Sequence, residues 1–192
     1  EFDRIYIDII KGLAARKIYL INEKQLDAGQ ADFVQSCFTS TVLPELEPIL
    51  LRDGLVIPPL NDESIYLAVD IRSGENYNYA VVEVPTDRLA RFIEIPKRKG
   101  KSGKVFIVLD NIIRACLPQM FRGVIPIDEA QAFCFKFSRD AELDIDTGID
   151  QTLIDKMVIS LKKRPRADAV RMVYEVYQQV KIPIVGMGGI GS

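Results

Sequence analysis

The segment of this sequence that is richest in cations is KRKGKSGK, residues 97–104. Its five basic side chains are Lys97, Arg98, Lys99, Lys101 and Lys104. A P-loop would need a glycine five positions before Gly100 and a helix after the Gly-Lys-Ser step. Ile95 occupies that position, and the apolar run VFIVL that follows has the composition of a strand. The pattern favours a solvated loop between two strands, and the alternative is a weak, nonspecific contact with a polyanion.

A second candidate site is the glycine-rich segment KIPIVGMGGIGS, residues 181–192. An apolar run precedes Gly186, Gly188 and Gly189, and glycines let backbone N–H groups approach a phosphate closely. The spacing misses the third glycine of the dinucleotide fingerprint. These three glycines are therefore candidate ligands of a cofactor phosphate, and a plain flexible tail is the alternative.

Other residue types exclude several kinds of chemistry. The 192 residues contain no histidine, so they hold no histidine-dependent triad, histidine metal ligand or phosphohistidine. The acidic run SRDAELDID (138–146) lacks the glycine of an EF-hand loop, and we predict a solvated strand end there and no metal site. The cysteines Cys37, Cys116 and Cys134 lie among apolar residues without a CxxC spacing, which predicts buried small side chains and no disulfide. We predict no catalytic residue in this chain.

Composition indicates an ordinary globular chain. The formal net charge is −2 and the hydrophobic content is 48%, which gives no support for nucleic-acid binding and predicts a real core. No apolar stretch approaches the roughly 20 residues that span a bilayer. The first residues carry acids and lack the form of a signal peptide, so a cytoplasmic location is the default expectation.

Helical and strand periods alternate irregularly along the chain. The apolar spacing predicts helices over 2–14, from 28 to about 42, after Asp110 as N-cap, and over 149–163. Strands are predicted over 17–21, 91–95, 105–109 and 132–138, with a hairpin over 65–84. We predict an α+β fold with a mixed or mostly antiparallel sheet covered by helices on one side. Because the apolar stripe of the first helix begins at the second residue, we expect that helix to come from a preceding helical domain.

Five stretches together resemble polyphosphate kinases of the histidine-phosphorylating type, in their middle or head domain. The stretches are FVQSCFTSTVLPELEPI (33–49), VIPPLNDESIYLAV (56–69), VVEVPTDRLARFIEIP (81–96), VFIVLDNIIRACLPQMF (105–121) and FCFKFSRDAELDID (133–146). The resemblance covers roughly 20–174 and implies three parts: the end of a helical domain (1–19), a head domain (20–175) and a tail of uncertain origin (176–192).

The family is implied to transfer the terminal phosphate of ATP to polyphosphate with Mg²⁺, through a phosphohistidine in C-terminal domains that this chain lacks. The head domain is implied to serve architecture and subunit contact. Its expected partners are the remaining domains of the enzyme, a second copy of the chain and polyphosphate. We expect the fragment alone to need no cofactor and to be inactive.

The tail has a different resemblance. Residues 169–190, AVRMVYEVYQQVKIPIVGMGGI, are similar to a piece of the FMN-binding barrel of dihydroorotate dehydrogenase. That resemblance implies that the turn 186–190 would hold the flavin phosphate. Two alternatives therefore stand beside the head-domain hypothesis: a fragment of an FMN-dependent dihydroorotate dehydrogenase, or a purely structural self-association module.

Overall fold

The computed structural model describes residues 2–52, 60–62, 64–98, 102–139 and 169–174. Its helices are α1 (Phe2–Ala15), α2 (Ala28–Cys37), α3 (Leu109–Ala115) and α4 (Leu117–Met120). Its strands are β1 (Ile18–Ile21), β2 (Ile49–Leu51), β3 (Ile65–Ser73), β4 (Asn76–Val84), β5 (Phe92–Ile95), β6 (Lys104–Val108), β7 (Glu129–Arg139) and β8 (Ala169–Tyr174). The predicted helix over 149–163 lies outside the described residues.

The larger sheet has five antiparallel strands in the order β2-β4-β3-β7-β8. Its centre is the tight hairpin of β3 and β4, which pairs Ile65 with Val84 at one end and Ser73 with Asn76 at the other. The two-residue loop begins with Gly74 at φ 60°, a left-handed conformation that glycine adopts without steric cost. The hairpin predicted over 65–84 is confirmed.

The smaller sheet has three strands in the order β1-β6-β5. Strands β1 and β6 run parallel, with Tyr19 beside Val105, whereas β5 and β6 run antiparallel. With one antiparallel sheet and one mixed sheet, the predicted α+β class is confirmed.

The core fills the space between one face of the larger sheet, the smaller sheet and the helices α2, α3 and α4. Alternation places Leu67, Val69 and Ile71 of β3 on that inner face, and each is at most 2% exposed. Ile107 of β6 and Ile113 of α3 are fully buried in the same cluster. Every helical residue of this cluster lies on the inner side, as expected for a sheet that helices cover on one face.

The opposite face of the larger sheet carries a smaller apolar cluster. Tyr66 and Val81 are buried there, and Phe135 stacks on Tyr66 with ring centroids 5.6 Å apart. The Tyr66 hydroxyl accepts a hydrogen bond from the backbone N–H of Asn61 at 2.7 Å, so the chain after β2 approaches this face.

The second helix is shorter than its apolar period predicts. It begins at a capping box, in which Asp27 Oδ1 accepts the Gln30 N–H at 2.9 Å. After Cys37 the chain widens into a π-helical turn over Phe38–Val42, where Thr39 Oγ1 donates to the Gln35 carbonyl. Such back-bonding competes with the regular ladder and bends a helix, and the downstream proline at position 44 ends it.

The expectation that Asp110 caps the third helix is wrong. Helix α3 begins at Leu109, its cap residue is Val108, and no side chain bonds the first turn. Leu109 is fully buried in the core, and the helix starts two residues earlier than a cap at Asp110 would imply. Asp110 lies inside the first turn, 8% exposed, where its Oδ2 accepts the Cys134 thiol at 3.4 Å.

The first helix confirms the amphipathic segment predicted over 2–14. Ile5, Tyr6 and Ile9 on α1 are each about half exposed. None of the helices in the described part of the chain combines the length and hydrophobicity that a membrane crossing requires.

Candidate ligand cleft

Two of the five predicted cations meet at a cleft beside the smaller sheet. Lys97 and Arg98 follow Pro96, the first residue after β5, and both side chains are exposed. Lys99 and Lys101 lie outside the described residues. Lys104 is the first residue of β6 and lies on the other face of the sheet.

The cleft has a volume of about 600 Å³ and lies over the core-side face of β1 and β6. Its floor is apolar and consists of Tyr19, Ile21, Leu26 and Val105. Its rim carries the cations Lys24, Lys97 and Arg98. No aspartate or glutamate is among the lining residues that the structure describes. The cleft therefore offers an apolar surface bordered by positive charge.

Three polar contacts hold the rim together. The buried Gln30 of α2 donates through Nε2 to the Pro96 carbonyl at 2.8 Å. Arg98 donates through Nη2 to the Gln25 carbonyl at 2.5 Å, and its Nε lies 3.5 Å from Asp27 Oδ2. These bonds join the segment after β5 to the chain between β1 and α2, so the two sides of the cleft are fixed relative to each other.

Lys104 is separated from the cleft by the sheet itself. It neighbours Val105 in the strand, and successive strand residues point to opposite faces. Its Nζ pairs with Glu94 Oε2 at 3.1 Å. The structure thus brings Lys97 and Arg98 together and assigns Lys104 to a different surface.

Gly103 follows Ser102, which lines the cleft, and approaches Lys17 closely. Gly103 has φ 112°, and a Cβ there would lie 2.3 Å from the Lys17 carbonyl oxygen and 3.0 Å from Tyr19 Cε2. Lys17 itself has φ 59°, and its carbonyl accepts the Lys104 N–H at 2.9 Å. Only glycine fits at position 103, because any side chain would collide with backbone.

Sequence reasoning did not single out most of the residues that line the cleft, among them Tyr19, Lys24 and Gln30. The strand predicted over 17–21 includes Tyr19 and the helix predicted from 28 includes Gln30, and neither pattern indicates a ligand site. The available signal was Asp27 followed by Gln30, a capping-box pattern that fixes where α2 starts. Which strand lies beside β1 could not be inferred from local pattern.

The cysteines offer no activated thiol. Cys116 is 1% exposed, and burial, together with the neighbouring Cys37, raises the pKa of its thiol to about 11. Burial also raises the pKa of the Cys37 thiol. All three cysteines are free. Cys116 is buried as predicted, whereas Cys37 and Cys134 are half-buried. A raised pKa lowers the thiolate fraction that nucleophilic chemistry requires.

Comparison with protein families matches residues 29–182 to the family described as polyphosphate kinase middle domain. The chain belongs to this family. The family match includes Gln30, Lys97 and Arg98 of the cleft and begins after Tyr19 and Lys24. The resemblance to the polyphosphate kinase middle domain that the five stretches carried is thereby confirmed.

Similar proteins agree with this assignment. A polyphosphate kinase of Vibrio cholerae serotype O1 is 44% identical over 176 residues, which are 91% of this chain and 25% of that protein. The polyphosphate kinase of Escherichia coli K12 is 36% identical over 91% of this chain and 26% of its own length. The crystal structure of polyphosphate kinase from Porphyromonas gingivalis superposes with a TM-score of 0.59 at 27% identity, over 69% of this chain and 22% of that one. The chain spans about a quarter of the curated relatives that it matches.

The structure does not describe the glycine-rich tail. Gly186, Gly188 and Gly189 lie outside the described residues, and so does most of the acidic run 138–146. Flavin binding by the tail therefore stays a prediction, which the visible absorption spectrum of the purified chain tests. Within the described residues there is no cluster of three potential metal ligands.

Proposed function

We propose that this chain is the non-catalytic middle domain of a polyphosphate kinase. The complete enzyme would transfer the terminal phosphate of ATP to a growing polyphosphate chain, with Mg²⁺ and a phosphohistidine in other domains. The observation that carries the proposal is the match of residues 29–182 to the middle-domain family, in a chain that spans a quarter of its relatives. The remaining three quarters of those relatives leave room for the catalytic domains.

The residues of this chain favour an architectural role. It has no histidine to carry a phosphoryl group, and its most buried thiol is held protonated. The main core cluster joins the two sheets to α2, α3 and α4, which suits a domain that positions its neighbours. In this proposal residues 1–19 end a preceding helical domain, 20–175 form the middle domain, and 176–192 are a tail.

The same proposal includes partners and location. Other domains of the enzyme, and a second copy of the chain, would contact this domain. The exposed cations Lys97 and Arg98 would add weak, salt-sensitive attraction for polyphosphate. Lys104 would contribute less, since Glu94 already pairs with it. A cytoplasmic location belongs to the proposal because ATP is the proposed phosphate donor.

A domain exchange tests the assignment. This chain would replace the corresponding quarter of the Vibrio cholerae polyphosphate kinase, and ATP-dependent polyphosphate synthesis would be measured with [γ-³²P]ATP. We expect synthesis by the chimera and none by a matched protein from which the same segment is deleted. A chimera of native mass and normal thermal unfolding that makes no polyphosphate would contradict the assignment.

The non-catalytic role needs its own measurement. The isolated 192-residue chain, shown to be folded by circular dichroism, should make no polyphosphate from ATP and Mg²⁺. Synthesis by the isolated chain would contradict the proposal, because the reacting groups would then lie within these residues.

A further inference from the structure

We propose that the cleft between β1, α2 and the segment after β5 is a nucleotide-binding site. A planar base would lie on the apolar floor, and the phosphates would meet the cations of the rim. The proposed function assigns ATP to other domains, so this site is an additional one and does not depend on that assignment. Its volume, about 600 Å³, falls within the roughly 300–1,000 Å³ typical of small-molecule sites.

The floor supplies the reason to expect a base. Tyr19 is 41% exposed on the floor of the cleft, which it shares with the half-buried Ile21 and Leu26. Bases of nucleic acids and nucleotides stack on aromatic side chains, and apolar surface gains free energy when a ligand covers it. A fully hydrated inorganic anion would leave this surface uncovered.

The rim supplies the reason to expect phosphates. Lys24, Lys97 and Arg98 border one cleft, and the lining residues that the structure describes include no carboxylate. Arg98 already has a counter-charge in Asp27, so a bound phosphate would add one chiefly for Lys97. Lys97 has no ion pair within the described part of the chain. Charge-assisted hydrogen bonds from such cations to phosphate oxygens are stronger than neutral ones.

The start of α2 does not contribute a phosphate site. Asp27 occupies it, since its Oδ1 accepts the Gln30 N–H at 2.9 Å. A phosphate there would meet a carboxylate. The anion must therefore bind to side chains of the rim, which makes binding dependent on Lys97 in particular.

The test is isothermal titration calorimetry of the full chain at low salt without Mg²⁺. The three titrants are ATP, tripolyphosphate and adenosine, which separate the phosphate and base contributions. We expect ATP to bind more tightly than either part alone. Lys97→Ala should weaken ATP and tripolyphosphate by about tenfold, the loss of roughly one charge-assisted hydrogen bond. Tyr19→Leu should weaken ATP and leave tripolyphosphate unchanged.

Lys104→Ala is the matched control, because it removes one cation from the opposite face of the same sheet and should leave ATP binding unchanged. Equal affinity for ATP and tripolyphosphate would overturn the proposal and leave a polyanion contact only. Absence of saturable binding at millimolar ATP would also overturn it, as would ATP binding that ignores Lys97→Ala. The selectivity of the unmodified chain for ATP over tripolyphosphate decides the role of the floor even if Tyr19→Leu fails to fold.

Discussion

Replacement of Gly103 by alanine tests whether the junction of β1 and β6 is as tight as the structure indicates. The new Cβ would lie 2.3 Å from the Lys17 carbonyl oxygen, a backbone atom that cannot rotate away. That oxygen accepts the Lys104 N–H at 2.9 Å at the start of the parallel pair. The perturbation therefore acts on a position that joins two strands far apart in sequence.

The cost has two sources. Alanine at φ 112° is strained by about 1–3 kcal/mol. Relief of the collision requires the Lys17 carbonyl to retreat until the Cβ is 3.0 Å away, the shortest separation that real Cβ atoms show. That retreat, about 0.7 Å, would stretch the 2.9 Å bond to Lys104 beyond hydrogen-bonding range, at a further cost of about 1 kcal/mol. We expect a total loss of about 2–4 kcal/mol, a large share of the roughly 5–15 kcal/mol that stabilises a domain.

Urea denaturation followed by circular dichroism measures this loss as a shift of the unfolding midpoint at constant slope. Gly74→Ala is the matched control: Gly74 also has positive φ, at 60°, yet nothing lies within 4 Å of its Cβ position. It should cost only the backbone strain, about 1 kcal/mol. If Gly103→Ala proves no more destabilising than Gly74→Ala, the inferred close approach is wrong.

Three further predictions concern single side chains. Cys116, with a thiol pKa of about 11 and 1% exposure, should resist iodoacetamide in the native protein and react in urea; native labelling at the rate of an exposed thiol would contradict its burial. Desolvation, and to a smaller extent the charge of Glu129, raises the pKa of the Asp70 carboxyl above 3.8. The folded protein therefore binds the carboxyl proton more tightly than the unfolded chain, and its stability falls as the pH rises from 3.8 through the raised pKa. Asp70→Asn should reduce this fall, measured as the urea unfolding midpoint at a series of pH values. A variant with the same pH dependence as the unmodified chain would contradict the prediction. Arg88→Ala should cost about 0.5–1 kcal/mol, less at high salt, because Arg88 contacts both the carboxylate and the carbonyl of Glu45 at the surface.

The hairpin and the first helix could be predicted because neighbouring residues in the sequence determine them. The alternation of Ile65, Leu67, Val69 and Ile71 specifies one face of a strand, and the turn at Gly74 specifies the return. The stripe of α1 likewise follows from a period of 3.6 residues. Neither inference requires knowledge of any distant residue.

The cleft could not be predicted because it depends on pairing between distant segments. Strand β1 lies beside β6, which places Tyr19 next to Val105 across more than 80 positions of sequence. Gln30 reaches the Pro96 carbonyl in the same way. The sequence shows the cations as one run. Lys104 is assigned to the other face only once the strand that contains it is known, and the floor residues do not differ from other apolar strand positions.

The error at Asp110 has the same origin. An aspartate followed by an apolar helical period is typical of an N-cap, and the residues after Asp110 continue that period without contradicting it. What overrides the local preference is tertiary: Leu109 fills the core and becomes the first helical residue. Asp110 is then buried beside Cys134, whose thiol donates to its carboxylate, whereas at a true cap a backbone N–H of the first helical turn would be the donor.

Two cations of the rim, Arg98 and Lys97, have different roles, and only one of them gives an informative variant. Arg98 is bonded to Gln25 and Asp27, so its removal would both weaken an anion site and release the contact that fixes one wall. Lys97 lies one residue earlier, is exposed, and has no ion pair within the described residues. A loss of binding in Lys97→Ala at unchanged stability can therefore come only from the lost charge, whereas the same loss in an Arg98 variant would have two explanations.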